Sequence, residues 1–393
     1  MIQELNLPGR IFHGAGSVEK VADAAAGLGA NHLFVVISPS VLGEPLNLAD
    51  RLTKIFKKTN LGMTLFSEYK GEPTTEHVRA AVNNCKESQA DCIVAVGGGS
   101  AIDLAKAVSV MTINPDLQYQ EIARKKIIKR LPLITVPTTA GTGSEATKVM
   151  VITEVDSGIK LNPGHPVLIP DIAILDPELA LTLPNSFTAY TGMDALAHAM
   201  EAYVSTKATV LSDYFAIKAI TLISKALPSA HNNGSDLEAR ENMLLGSCFA
   251  GIAFSNSSTN LAHAAGRALG ARFNIPHGLS VALLLPYVIQ YGLKVSQERY
   301  ATIAKILNPD VDGSKEAMAK DVLNFVLNLN EQFQVWEAGA LYLKAKLANE
   351  IPLLVEDALA GNGILTNQVI PVYKDIEQIY QKLFNKISEY SVC

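Results

Sequence analysis

Three short runs of aliphatic and β-branched residues, HLFVVIS at 32–38, CIVAVGG at 92–98 and LPLITVP at 131–137, each break into turn residues and then a longer amphipathic segment. Strands apolar at nearly every position must be covered on both faces, so this alternation predicts a mostly parallel sheet layered between helices. The rhythm stops after ILDPELALTLP at 174–184. From Ser186 onward, alanine- and leucine-rich stretches such as TAYTGMDALAHAMEAYVS and DYFAIKAITLISKAL read as helices. The expected fold class is therefore α/β plus all-α, with Pro184 as the boundary between an α/β domain over 1–184 and a helical domain over 185–393. The cleft between them is the expected ligand site. A chain of 393 residues exceeds the size at which one core stops growing, and its 48% hydrophobic content is ample for two.

The formal charge of −5 provides no basic footprint, which argues against nucleic acid as a partner. The one basic run, ARKKIIKRL at 123–131, reads as a solvated helix face. No stretch reaches about 18 uninterrupted apolar residues, and the start MIQELNLPGRIFHG lacks a basic head followed by an apolar run, so neither membrane spanning nor export is signalled. Cys85, Cys92, Cys248 and Cys393 form no CxxC pair, which excludes a disulfide scaffold and points to a reducing cytoplasm.

Two glycine-rich turns follow apolar strands. In CIVAVGGGSAIDLAKAV the turn Gly97-Gly98-Gly99-Ser100 leads into a helix, presenting bare backbone N–H groups and a helix N-terminus to an anion such as a pyrophosphate. In VPTTAGTGSEAT the hydroxyls of Thr138, Thr139, Thr142 and Ser144 stand among glycines. Two such loops at neighbouring strand ends suit a dinucleotide better than a lone phosphate.

The helical half carries a candidate metal set. Asp194 and His198 in GMDALAHAMEAY are four apart, so a helix puts both on one face. His263 lies in a second helical stretch, and His277, fourteen residues later between Pro276 and Gly278, has a loop setting that can aim its ring across a cleft. Three imidazoles and one carboxylate suit Fe(II) or Zn(II) rather than Mg(II) or Ca(II).

The motifs GGGSAIDLAKA, PTTAGTGSEAT, IPDIAILDPEL, GMDALAHAMEAYVS and NIPHG, with the ending ILTNQVIPVYKDIEQIYQKLF, resemble the iron-containing, metal-dependent (group III) alcohol dehydrogenase family over nearly the whole chain. The resemblance implies a dehydroquinate-synthase-like architecture, a Rossmann-like nucleotide-binding domain followed by a helical metal domain, and a homo-oligomer. It implies Asp194, His198, His263 and His277 as ligands of Fe(II), or alternatively Zn(II). Gly97, Gly98, Gly99 and Ser100 would form the pyrophosphate loop, with Thr138, Thr139 and Thr142 on the nicotinamide side. Asp103 and Lys106 match the same GGGSxxDxAK signature, where Asp103 reads as a capping and packing residue, and Lys160 matches a lysine near the cofactor.

The chain departs from the family's pattern at several positions. Arg267 stands where relatives carry a second histidine used for proton relay, and an arginine stays protonated. Ser257-Ser258-Thr259-Asn260 replaces a less polar sequence. Arg267, Ser258 and Asn260 are thus expected to bind the substrate, a small alcohol or aldehyde with an anionic head group of the sulfoacetaldehyde or phosphonoacetaldehyde type. The alternative for Arg267 is a pairing with a nearby carboxylate such as Glu201, or a turn toward solvent. Gly363, where some relatives have a pocket cysteine, is expected to leave room for the head group. Ser38 stands where NAD-preferring relatives place an aspartate; NAD(H) is expected over NADP(H), since no nearby arginine invites a 2′-phosphate. The competing functions are a lyase of the dehydroquinate synthase type and a nucleotide-binding protein without catalysis.

Overall fold

The structure, a computed structural model, describes residues 2–343 and 347–390; Cys393 lies outside the described residues. Its strands are β1 (Arg10–His13), β2 (His32–Ile37), β3 (Gly62–Phe66), β4 (Cys92–Gly97), β5 (Leu133–Pro137), β6 (Ile152–Thr153), β7 (Lys160–Leu161) and β8 (Ile172–Leu175). Six form one parallel sheet in the order β1-β8-β5-β4-β2-β3, and β6 and β7 pair as a small antiparallel ribbon.

The continuous apolar runs have their expected cause. Along β2, Phe34 and Val36 point into one core while Leu33, Val35 and Ile37 point into another. The first core is closed by α3 (Thr75–Glu87) and α4 (Gly99–Met111), the second by α1 (Val21–Gly27) and α2 (Leu48–Lys57). The basic run at 123–131 is largely exposed but forms no helix; only the single turn α5 (Tyr119–Ile122) precedes it. Its Arg130 bonds instead to Val167 O, Ile169 O and the Asp171 carboxylate, which keeps it in an extended loop beside β8.

Pro184 caps α6 (Asn185–Val204), and helices follow: α7 (Val210–Asn232), α8 (Leu237–Asn256), α9 (Leu261–Phe273), α10 (His277–Gly292), α11 (Gln297–Leu307), α12 (Lys315–Gln332), α13 (Val335–Tyr342), α14 (Ile351–Leu359) and α15 (Tyr373–Ser388). They share one large core running from Ala189 to Ile387. Ala146 and Leu175 from the sheet side pack on Cys248 and Ile252 of α8, joining the two halves. Among the described residues, no helix is long and apolar enough to cross a membrane.

Candidate active site

The sheet order places β3 on one side of β2 and β4 on the other, so the chain reverses direction across the sheet between β2 and β4. In parallel sheets, the crevice beyond the strand ends at such a reversal is where ligands bind. Ser38 ends β2 there, and the Gly97–Ser100 turn ends β4. A Cβ on Gly97, whose φ is +150°, would lie 2.7 Å from Ser38 Cβ and 2.8 Å from Ala101 Cβ, so only glycine allows this turn. Ser38 Oγ is paired with Ser40 Oγ at 2.9 Å.

The second loop packs directly on the first. Positions for a Cβ on Gly98 and Gly99 lie 3.1 Å from Thr139 Oγ1 and 2.8 Å from Thr142 Cγ2. Thr138 is buried and donates its N–H to Gly97 O at 3.1 Å. Ser100 is half-buried at the first turn of α4. The structure thus brings the predicted pyrophosphate and nicotinamide loops together.

Beneath them Lys106, fully buried, donates to Ser144 Oγ (3.0 Å), Thr147 Oγ1 (2.9 Å), Thr147 O (3.0 Å) and Val149 O (2.7 Å). Asp103 accepts from Ser144 Oγ at 2.5 Å and Val151 N at 2.9 Å; it lies beyond the first turn and does not cap α4, whose N-cap is Gly98, but fastens that helix to the second loop. Burial lowers the Lys106 ammonium to about 8 despite Asp103 and Glu145, and raises the nearby Glu145 carboxyl to about 7. Lys160, on β7, is paired with Glu72 at 2.7 Å and, like Arg267, disfavours a proton on His277.

Glycine also joins this crevice to the helical half: a Cβ on Gly141 would lie 2.7 Å from Thr191 Cβ, one turn before Asp194 on α6. Asp194, His263 and His277, from α6, α9 and α10, each present a ligand atom, all within 4.8 Å of one another. Asp194 Oδ1 is 3.4 Å from His263 Nε2 and 3.6 Å from His277 Nε2. His198 stands beside this group, its Nδ1 3.8 Å from Asp194 Oδ2 and its ring stacked between His263 (4.1 Å) and Phe254 (4.3 Å). His277 is not in a loop; it is the first residue of α10, started by Pro276, and is the half-exposed member of the set.

Asp194 Oδ1, His198 Nδ1 and His263 Nε2 are buried without hydrogen-bond partners. Each such atom costs about 1–3 kcal/mol unless something satisfies it. A borderline divalent cation would satisfy two imidazole nitrogens and a carboxylate oxygen at once, so the residues fit the implied metal.

Burial opposes the charge on Asp194, but His198, His277 and His263 around it hold its carboxyl well below the usual range. Burial lowers His198 to about 3 and also lowers His277. For His263 burial acts downward too, but Glu201 and Asp194 outweigh it and raise the ring to about 9.

Arg267, one turn after His263, donates Nε–H to His263 O at 3.3 Å; it makes no direct ion pair among the described residues, although the nearby Glu201 charge favours its protonated form against the burial that lowers it. Glu201, its expected alternative partner, is bonded to His263 Nδ1 instead, at 2.6 Å. Asn260 is not brought to the cleft: it is 2% exposed, gives its amide to Glu201 O at 3.0 Å, and lines a small pocket of about 30 Å³ with Tyr300 and Asn367. Ser258 is half-buried in the turn before α9. Gly363 opens no space, because a Cβ there would collide with Asn260 O. Glu201 was not anticipated as the partner of His263. Its signal was present: it lies seven residues after Asp194, on the same helix face.

Residues 8–177 match the model of the iron-containing alcohol dehydrogenase family, and residues 188–384 match that of the family's C-terminal domain. The chain is 42% identical over 329 residues to EutG, a probable alcohol dehydrogenase of Escherichia coli strain K12, covering 84% of this chain and 82% of that protein. It superposes on an alcohol dehydrogenase from Oenococcus oeni with a TM-score of 0.92 at 30% identity, over 97% and 100% of the two chains. A sulfoacetaldehyde reductase from Bifidobacterium kashiwanohense in complex with NAD+ gives a TM-score of 0.85 at 27% identity, over 98% and 99%. With a glycine-rich crevice at the sheet's reversal point and a buried Asp–His cluster in the helical half joined to it, the chain belongs to the iron-containing alcohol dehydrogenase family.

Proposed function

We propose that this alcohol dehydrogenase interconverts a small alcohol and its aldehyde with NAD(H), and that its substrate bears an anionic head group received by Arg267. The observation that carries the head-group reading is the guanidinium itself: it sits on α9 one turn from His263, largely buried, and makes no direct ion pair among the described residues, since Glu201, the carboxylate that acts on it, is bonded to His263. The similarity to a sulfoacetaldehyde reductase supports the same reading. Ser258, in the turn before α9, is the proposed second donor to the head group.

Asp194, His263 and His277 would hold the cation, Fe(II) before Zn(II), with His198 as the proposed fourth ligand on account of its buried, unpartnered Nδ1. When bound, the cation supplies Lewis acidity at the substrate oxygen and the nicotinamide supplies or receives the hydride. The chain's own residues orient and exclude water. Gly97 to Ser100 and Thr138, Thr139 and Thr142 would cradle the dinucleotide; Ser38 at its ribose end offers a neutral hydroxyl, and Lys160 a cation held by Glu72. Arg267 cannot move protons as an imidazole does, so its part is binding. The cytoplasm is the proposed compartment, supported by free, buried Cys85, Cys92 and Cys248; a homo-oligomer is the proposed assembly, supported only by the family resemblance.

The test is anaerobic Fe(II) reconstitution followed by NADH and NADPH oxidation with matched neutral and anionic aldehydes, for the wild type and Arg267→Ala. A charge-assisted contact is worth about 1.5–3 kcal/mol, so the variant should lose roughly 10- to 100-fold in kcat/KM on anionic aldehydes while sparing neutral ones. Equal rates on both classes in both proteins would leave a broad-range alcohol dehydrogenase. A lyase of the dehydroquinate synthase type would produce no net NAD+ from NADH.

A further inference from the structure

Glu201 is 2% exposed in the middle of an apolar helix, a position an acid holds only with full satisfaction of its oxygens. All of its partners come from the start of α9. Oε2 accepts from Asn260 N at 2.9 Å and from His263 Nδ1 at 2.6 Å, and Oε1 accepts from Ala262 N at 2.6 Å. Asn260 returns a bond from its side-chain amide to Glu201 O at 3.0 Å, so α6 and the first turn of α9 are tied in both directions.

Backbone N–H groups only donate, so both carboxylate oxygens act as acceptors here, and the ring nitrogen facing Oε2 has to be the donor. That places a proton on His263 Nδ1 in either charge state of the ring and directs Nε2, the atom left for a cation, toward Asp194 Oδ1, 3.4 Å away, where it is buried and without a partner. A cap for α9 would need only the two backbone contacts; the third contact, on the imidazole, has no role in capping.

We propose that Glu201 is a positioning residue of the metal site: it fixes the orientation and tautomer of the His263 ring so that Nε2 faces the cation. The inference rests on the metal-binding reading above and adds to it a residue that touches neither metal nor substrate. A hydrogen-bond acceptor behind a ligating histidine typically changes metal affinity by about 10- to 100-fold.

The experiment uses Zn(II) and Co(II) as probes on the chelator-treated full-length protein, comparing the wild type with Glu201→Gln and Glu201→Asp. Zn(II) affinity is read by competition with a chromophoric chelator, the Co(II) site by its d–d spectrum, and folding by circular dichroism of the apo forms. A glutamine must turn its NH2 toward one of the three donors, so Glu201→Gln should bind Zn(II) about 10- to 100-fold more weakly and show an altered Co(II) spectrum. Glu201→Asp keeps the charge but falls one methylene short, and should lie between.

In parallel, nitrogen-15 NMR of the Zn(II)-loaded wild type, labelled at histidine, should show His263 protonated at Nδ1 and metal-bound at Nε2. This reading decides the matter even if the glutamine variant does not fold. A folded Glu201→Gln protein with wild-type Zn(II) affinity and Co(II) spectrum would overturn the inference and leave the metal site standing, as would zinc on His263 Nδ1. A wild type that binds neither ion would overturn the metal reading and this inference with it.

Discussion

Glu145 is a carboxyl in the wrong solvent. It is 2% exposed beside the buried ammonium of Lys106, and burial raises it from 4.5 to about 7. An acid whose pKa is higher in the folded than in the unfolded chain favours folding fully only below its unfolded value, and that contribution disappears as the pH rises through the folded value. The chain should therefore lose stability between about pH 4.5 and 7 through this one residue, on the order of 3 kcal/mol at most. Glu145→Gln should flatten the decline of Tm of the apo protein between pH 5 and pH 8, with the larger gain over wild type at pH 8. An unchanged slope would mean that Lys106 compensates the charge. Nothing in VPTTAGTGSEAT announces this burial, because the composition of a turn does not say which side chains face the protein.

Helix approach, more than helix content, assembles the centre. Gly278, the second residue of α10, has no room for a Cβ: one placed there would collide with Tyr190 O on α6. That contact holds the first turn of α10, and with it His277, against the turn of α6 that bears Asp194. Gly278→Ala should push the two helices apart, cost about 1–3 kcal/mol of stability as overpacking does, and weaken Zn(II) binding at least tenfold. Both effects are measurable, by thermal melting and by chelator competition; full metal affinity in the variant would show that α10 can shift without moving His277. The sequence NIPHG shows the turn chemistry that starts a helix, yet read alone it suggested a loop, because Pro276 breaks what precedes it and only the contact with α6 shows that a helix follows.

At the scale of the whole molecule, one cation would fasten α6, α9 and α10 to each other, so loading should stabilise the native chain and not the unfolded one. Adding Zn(II) or, anaerobically, Fe(II) to chelator-treated protein should raise Tm with the logarithm of metal concentration, the added stability reaching about 4 kcal/mol at roughly a thousandfold excess over Kd. A Tm indifferent to metal would contradict the site. The layered parallel sheet and the helical second half were legible from the chain alone, and the two glycine turns and the Asp–His set were singled out there as candidates. All of these are local: periodicity, turn residues and i, i+4 spacing act within one element. What depends on how elements meet was decided only by the tertiary structure. Asn260 turned toward Glu201 instead of the cleft, Gly363 proved filled by backbone, Glu201 bonded directly to His263 and acts on Arg267 only through its charge, and His198 stacked beside the cluster. Each outcome was set by close packing and the need to satisfy buried polar atoms across residues 50 or more apart in the chain, a competition that no local window of sequence contains.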